Sequence, residues 1–389
     1  MKKVTVLGGG IAGIEAAIML RQKGFAVTLI SPRNYLYIYP ISIWIPTGEK
    51  SFAQTSMPLG QLAKKHQFKL VIDEVVSIRA SEQTVELKAG GSYSDFDYLV
   101  LAIGAGKLKP KGAENTLSIC GEPEQSLQIK ARLDELVQRG SGNIAVGFGG
   151  NPKDSSAVRG GPGFEFIFNV HNMLQKRNIR DKFTLTFFAP MVSPGARMGE
   201  KAVRSMDIMF GKLNINTHFG IKIKQFESGG VRFEDDSLLA ADFTMFIAAG
   251  DGHSVIKASD LPQNEAGFIK IDPYCQVVGY ENIYAVGDCA ALEGPDWKAK
   301  QGHVGEVMAR NVADNLANKE QGIPERKSYI EHLSILCVMD SGNGAAYVHR
   351  DNSMERILML PVVGHWLKKS WGTYYKLSKM GRIPRLPNM

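Results

Sequence analysis

Short apolar runs that stop at glycine set the rhythm of this chain. After Lys2 and Lys3, the run Val4-Thr5-Val6-Leu7 is apolar at nearly every position, as expected of a strand buried on both faces. Gly8-Gly9-Gly10-Ile11-Ala12-Gly13 follows at once, and the apolar positions from Ile14 to Leu20 predict a helix. Further runs at Ala26–Ile30, Lys69–Leu87, Phe96–Ala105, Asn143–Gly150, Phe183–Phe188, Phe243–Gly250 and Asn282–Ala290 read as strands, most of them ending in small residues. A helix is expected from Gly163 to about Lys176, after an interruption from Asn151 to Gly161. Strands alternating with helices predict an α/β fold built on parallel sheets.

The last seventy residues break this rhythm. Ser334–Met339 reads as a strand with Tyr347-Val348 in its hairpin partner, and Trp366, Tyr374 and Leu377 then fall near helical spacing with lysines between them. The net charge of the chain is +7, and from Arg356 to Met389 there are seven Lys or Arg and no Asp or Glu. Trp and Tyr beside Lys without acids suit a helix lying in a membrane interface. The alternative is a basic helix packed on the protein's own core. Nucleic acid is not expected, because no recognised binding module accompanies the charge. With no apolar run of about 20 residues and no leader ahead of the first strand, the expectation is a cytoplasmic protein peripheral to the membrane, its oligomeric state left open.

Candidate chemistry starts at the amino terminus. A strand, then G-x-G-x-x-G, then a helix is the context that gives this motif its meaning. Gly8 permits the tight turn, Gly10 lets the backbone approach a pyrophosphate, and Gly13 lets helix and strand pack closely. The next strand ends at Ser31-Pro32-Arg33, where an acid for ribose hydroxyls is usual; Ser31 would bond a ribose more weakly, and Arg33 would reach a phosphate. The aromatic stretch from Asn34 to Gly48 either walls a flat ring system or packs the core. The second glycine turn, Gly147-Phe148-Gly149-Gly150, is not followed directly by its helix. The strand after that helix ends in Ala189-Pro190, with no group for a nicotinamide ribose. Asp288, at the carboxyl end of a parallel strand, points toward a cofactor region. The four cysteines, Cys120, Cys275, Cys289 and Cys337, exclude a disulfide scaffold and lack zinc-site spacing.

Three segments together resemble the two-dinucleotide-domain flavoproteins: the amino-terminal fingerprint, Tyr98-Leu99-Val100-Leu101-Ala102-Ile103-Gly104, and Ala285-Val286-Gly287-Asp288. The resemblance implies two Rossmann-like dinucleotide-binding domains with FAD as cofactor. The FAD would lie against Gly8, Gly10, Ile11, Ala12, Gly13, Ser31, Arg33, Val75, Ala102, Ile103, Gly104, Gly287, Asp288 and Lys300, with Asp288 on the ribityl chain. Gly161-Pro162-Gly163-Phe164-Glu165-Phe166, Lys300-Gln301-Gly302-His303, Cys337 ahead of Met339-Asp340-Ser341-Gly342, and the closing Trp371–Leu377 and Gly381–Pro387 segments look like the sulfide:quinone oxidoreductase family. That resemblance implies transfer of two electrons from sulfide or a related small inorganic sulfur reductant, through FAD, to a quinone, with the tail on the membrane surface. One departure stands out. The family's central cysteine, two residues before its Gly-Pro, is Arg159 here, so the usual partner of Cys337 is missing.

The expected division is an FAD-binding unit from 1–110 and 241–320, a second Rossmann-like unit at 111–240, and a quinone and membrane-interface region at 321–389. The catalytic candidates are Cys337, Cys120, Glu165 and Lys300. Each cysteine is either a redox group or a buried apolar one. Glu165 either handles protons or merely suits a helix start. Lys300 either stabilises reduced flavin or is a solvated lysine. A type II NADH:quinone dehydrogenase and a flavin-binding protein without turnover are the competing functions.

Overall fold

The computed structural model describes residues 1–385; the end of the closing Gly381–Pro387 segment lies outside the described residues. Two parallel sheets form its framework. The first runs, in spatial order, Ile283–Ala285, Tyr98–Leu101, Lys3–Leu7, Ala26–Ser31 and Lys69–Ile72. The second runs Asn216–Phe219, Phe183–Ala189, Gly142–Phe148 and Phe243–Ile247. All four residues of Tyr98–Leu101 are buried, as are all five of Phe243–Ile247, in keeping with sheets covered on both faces. The chain enters the second sheet after the first four strands and returns to place Ile283–Ala285 at the edge of the first.

Glycine carries out two close approaches in the first turn. Gly8 has φ +109°, and a Cβ there would lie 2.3 Å from the Ala102 carbonyl oxygen; one on Gly13 would lie 1.8 Å from the Gly8 carbonyl oxygen. The helix Ile11–Gln22 packs against the helix Gly302–Glu320, and Ala12 meets Gly287 and Gly305 across that contact. The segment from Lys69 to Leu87 is three strands rather than one. Lys69–Ile72 joins the parallel sheet, whereas Val75–Arg79 and Thr84–Leu87 pair antiparallel in a separate meander, because Asp73 and Glu74 turn the chain between them.

At the carboxyl end, Ile335–Asp340 pairs with Gly344–Arg350, Cys337 lying opposite Val348, and a third strand, Glu355–Pro361, extends the sheet. The terminal helix Val363–Lys379 packs on this sheet. Its lysines do not form an outward basic face. Lys368 pairs with buried Glu165, and Lys379 with Glu15 and Glu306. Glu15, on the first helix and fully buried, also meets Arg310 at 2.7 Å and Arg385 at 2.6 Å. Tyr375 donates to Glu306 at 3.1 Å. This internal cluster ties the tail to both helices that flank the glycine turn. Removing one member would leave buried charge uncompensated, a loss of about 3–5 kcal/mol in comparable pairs. Among the described residues, no helix is long and apolar enough to cross a membrane.

Candidate active site

A single cavity of about 1770 Å³ runs from the glycine turn to the terminal helix. At one end it is lined by Gly8, Gly10, Ile11, Ala12, Ala102, Ile103, Gly104, Gly287 and Asp288, the carboxyl ends of the first sheet's strands. Ser31, Arg33 and Val75 flank this crevice. Gly13, also expected there, instead packs under the Gly8 carbonyl and is not part of the lining. The helices Ile11–Gln22 and Gly302–Glu320 open into the cavity, as does Gly161–Lys176, and no side chain caps any of the three starts. Their first amides are therefore available to an anion. A Cβ on Gly10 would meet nothing within 4 Å, so open space lies where a ligand would approach.

Several side chains are placed differently from the sequence expectation. The Ser31 hydroxyl closes its own turn, donating to the Arg33 carbonyl at 2.8 Å, rather than standing free for a ribose. Arg33, on the cavity wall, pairs with Glu122 at 3.2 Å. Lys300 lines the cavity but is buried rather than solvated. Its ammonium donates to the Ala290 carbonyl, lies 4.0 Å from the Phe268 ring centroid, and is pulled down to about 8 by burial. The aromatic stretch divides between the core and the cavity wall. Trp44 is fully buried, while Tyr37, Tyr39, Pro40 and Ile43 line the cavity.

Beyond the crevice the cavity wall carries Cys120, Arg159, Glu165, Cys337 and Lys368. Cys120 sits in a loop clamped by Tyr39, whose hydroxyl donates to the Gly121 carbonyl at 3.0 Å. All four cysteines are free thiols. Burial pushes the Cys120 thiol up, opposed by the cations Lys107 and Arg159. Burial also pushes Cys337 up to about 12, assisted by Glu165 and opposed by Lys368. The Glu165 carboxyl is raised to about 7, chiefly by burial, despite its pairing with Lys368. Arg159, at the position of the missing cysteine, reaches across to pair with Asp288. Cys275 and Cys289 lie in the core and do not line the cavity.

Lys107 and Lys368 were not among the expected site residues. Lys107 follows the small-residue turn at the end of a parallel strand, so the rule that ligands bind beyond strand carboxyl ends points to it. Lys368 lies 203 residues from Glu165, and no local pattern announces that pairing.

The parallel sheets, the glycine crevice and the uncapped helix ends define an FAD-dependent oxidoreductase of the two-dinucleotide-domain type. Residues 2–313 match the pyridine nucleotide-disulphide oxidoreductase family. The chain is 30% identical to the sulfide-quinone reductase of Aquifex aeolicus (strain VF5), over 96% of this chain and 90% of that one. It is 23% identical to the type II NADH:quinone oxidoreductase of Staphylococcus saprophyticus, covering 90% of each. The solved structure of the sulfide:quinone oxidoreductase from the hyperthermophilic bacterium Aquifex aeolicus superposes with a TM-score of 0.87, at 27% identity over 98% of this chain and 92% of that one. This chain therefore belongs to the sulfide:quinone oxidoreductase family, with arginine where that family's central redox cysteine is expected.

Its cofactor is FAD, and the crevice fits it. Close glycine approaches, open space at Gly10 and two uncapped helix starts suit a pyrophosphate-bearing dinucleotide. Bound there, FAD supplies two-electron acceptance and release.

A second buried charge group supports the tail. His365 Nδ1 lies 2.6 Å from Asp340 and Nε2 lies 3.5 Å from Glu49, while Asp340 accepts from Trp44 Nε1 at 3.2 Å. The hydrogen bonds to Asp340 and Glu49 raise His365 from 6.5 to about 9. A raised folded-state value means that the stabilisation is complete below about pH 6.5 and is lost as pH rises through about 9. The unfolding temperature is expected to fall across that window, and His365→Asn to flatten the fall; an unchanged pH slope in the variant contradicts the assignment.

Proposed function

We propose that this FAD enzyme takes electron pairs from a small sulfur reductant, with sulfide the first candidate, and delivers them to a quinone at a membrane surface. The observation that carries this reading is the presence of Cys120 and Cys337 on the wall of one cavity, with Glu165 acting electrostatically on both. Oxidised to a disulfide, the pair would take up hydrosulfide by forming one S–S bond and releasing one thiolate. The electrostatics divide the roles. Cys120, beside Lys107 and Arg159, is the thiol whose anion is better tolerated, while Cys337 faces Glu165 and is pushed up further. Glu165, held near neutrality, is the group that gives or takes a proton on that side. Asp288 would hold the ribityl chain of FAD, with the amides beginning at Ile11 facing the pyrophosphate.

The quinone end is argued from the tail. Leu358, Val362, Val363, Trp366 and Leu367 are exposed where the last strand meets the terminal helix, Val362 at 62% and Trp366 at 63%. Leu367 also lines the cavity, so the apolar patch and the cavity share a wall. Such a patch suits the interfacial layer of a bilayer and gives a lipid-soluble acceptor a route inward.

Anaerobic mixing separates the possible donors. Sulfide is expected to bleach the flavin band near about 450 nm, with NADH leaving it unchanged. Cys337→Ser and Cys120→Ser are each expected to slow the bleaching; bleaching by NADH, or undiminished rates in both variants, contradicts the sulfur reading. For the membrane, the double variant Trp366→Glu, Leu367→Glu is expected to lose most of its co-sedimentation with phospholipid vesicles. Full retention contradicts docking through this patch.

A further inference from the structure

The part of the cavity beside Cys120 holds an unbalanced positive charge. Lys107 lies on a short ribbon in which Gly106–Lys107 pairs antiparallel with Gly250–Asp251, and its side chain is half-buried on the cavity wall. The Lys107 ammonium has no hydrogen-bond or ion-pair partner among the described residues. Arg159, the second cation, shares its charge with Asp288. Glu165 also acts on Cys120 but is paired with Lys368, so three cations, Lys107, Arg159 and Lys368, stand against two carboxylates, and the surplus positive charge is that of Lys107. Desolvated charges in folded proteins are ordinarily paired, because a lone ion is costly to remove from water. Burial accordingly pulls Lys107 down to about 8, and the nearby guanidinium adds to that. An anionic ligand would supply the missing partner.

We propose that Lys107 and Arg159 form a binding subsite for a small sulfur anion, hydrosulfide or a sulfur oxyanion of similar size, held beside Cys120. The inference rests on the sulfur-donor reading above and specifies how that donor is held. An arginine in place of the central cysteine exchanges a covalent sulfur anchor for an ionic one. Guanidinium and ammonium together favour a compact anion and reject neutral or cationic donors.

The test is a titration of oxidised, FAD-loaded protein with thiosulfate in the absence of oxygen, at ionic strength held constant with chloride, read as perturbation of the flavin absorbance. A saturable perturbation is expected. The dissociation constant should rise ~10–100-fold in Lys107→Met and in Arg159→Gln, and stay near wild type in Lys107→Arg, with flavin content equal throughout. Lys107→Gln run in parallel guards against a misfolded methionine variant. Labelling of Cys120 in protein whose cysteines are reduced to free thiols gives a second readout: iodoacetate is expected to outpace iodoacetamide in the wild type and to lose that advantage in the variants. No perturbation in the wild type, equal affinities across the series, or loss of FAD from Lys107→Met would overturn the subsite. Lysine-dependent thiosulfate binding in a protein that sulfide does not bleach would uphold the subsite while removing sulfide as the donor.

Discussion

Three helices that begin without a capping side chain, Ile11–Gln22, Gly161–Lys176 and Gly302–Glu320, open into the same cavity. Everything else about the site follows from that electrostatic demand. Uncapped amides at a helix start carry partial positive charge and need an acceptor. Around them the chain has removed side-chain bulk at Gly8, Gly10 and Gly13 instead of providing a serine or aspartate cap. These unpaired amides and the space left by glycine suit the pyrophosphate of FAD.

The second constraint is mechanical. A tail of different composition becomes part of the site because Glu15 and Glu306 hold Lys379, with Arg385 added from beyond the helix. One turn after another of that helix is then fixed, so that Lys368 reaches Glu165 and His365 reaches Asp340. The cavity consequently has one wall from the nucleotide-binding sheet and another from the tail. Cys120 and Leu367 therefore border one continuous space.

The parts legible in the sequence were those with local causes. The fingerprint from Gly8 to Gly13, the apolar strands and the helix expected from Gly163, which begins two residues earlier at Gly161, are each specified by residues adjacent in the chain, and the α/β fold class came from their order. Arg159 was legible as a departure, but not its partner. Pairings such as Glu165 with Lys368 and Glu15 with Lys379 join residues hundreds of positions apart, where periodicity carries no information. For the same reason the tail looked like an outward basic helix, although two of its lysines turn inward. Ser31, Arg33 and Lys300 were placed in the cofactor region by motif, yet their polar atoms are engaged by Arg33, Glu122 and Ala290, choices that only folded geometry makes. Lys107 had a readable position beyond a strand end, but nothing marked it as unpaired.

The central claim is that the crevice is built for FAD. The most direct measurement is the identity and amount of nucleotide released by heat from the purified protein and from Asp288→Ala. About one FAD per chain from the wild type, and a marked loss from the variant, is the result predicted here. A wild type that releases no flavin or only a nicotinamide nucleotide, or a variant that keeps its full complement, would contradict it.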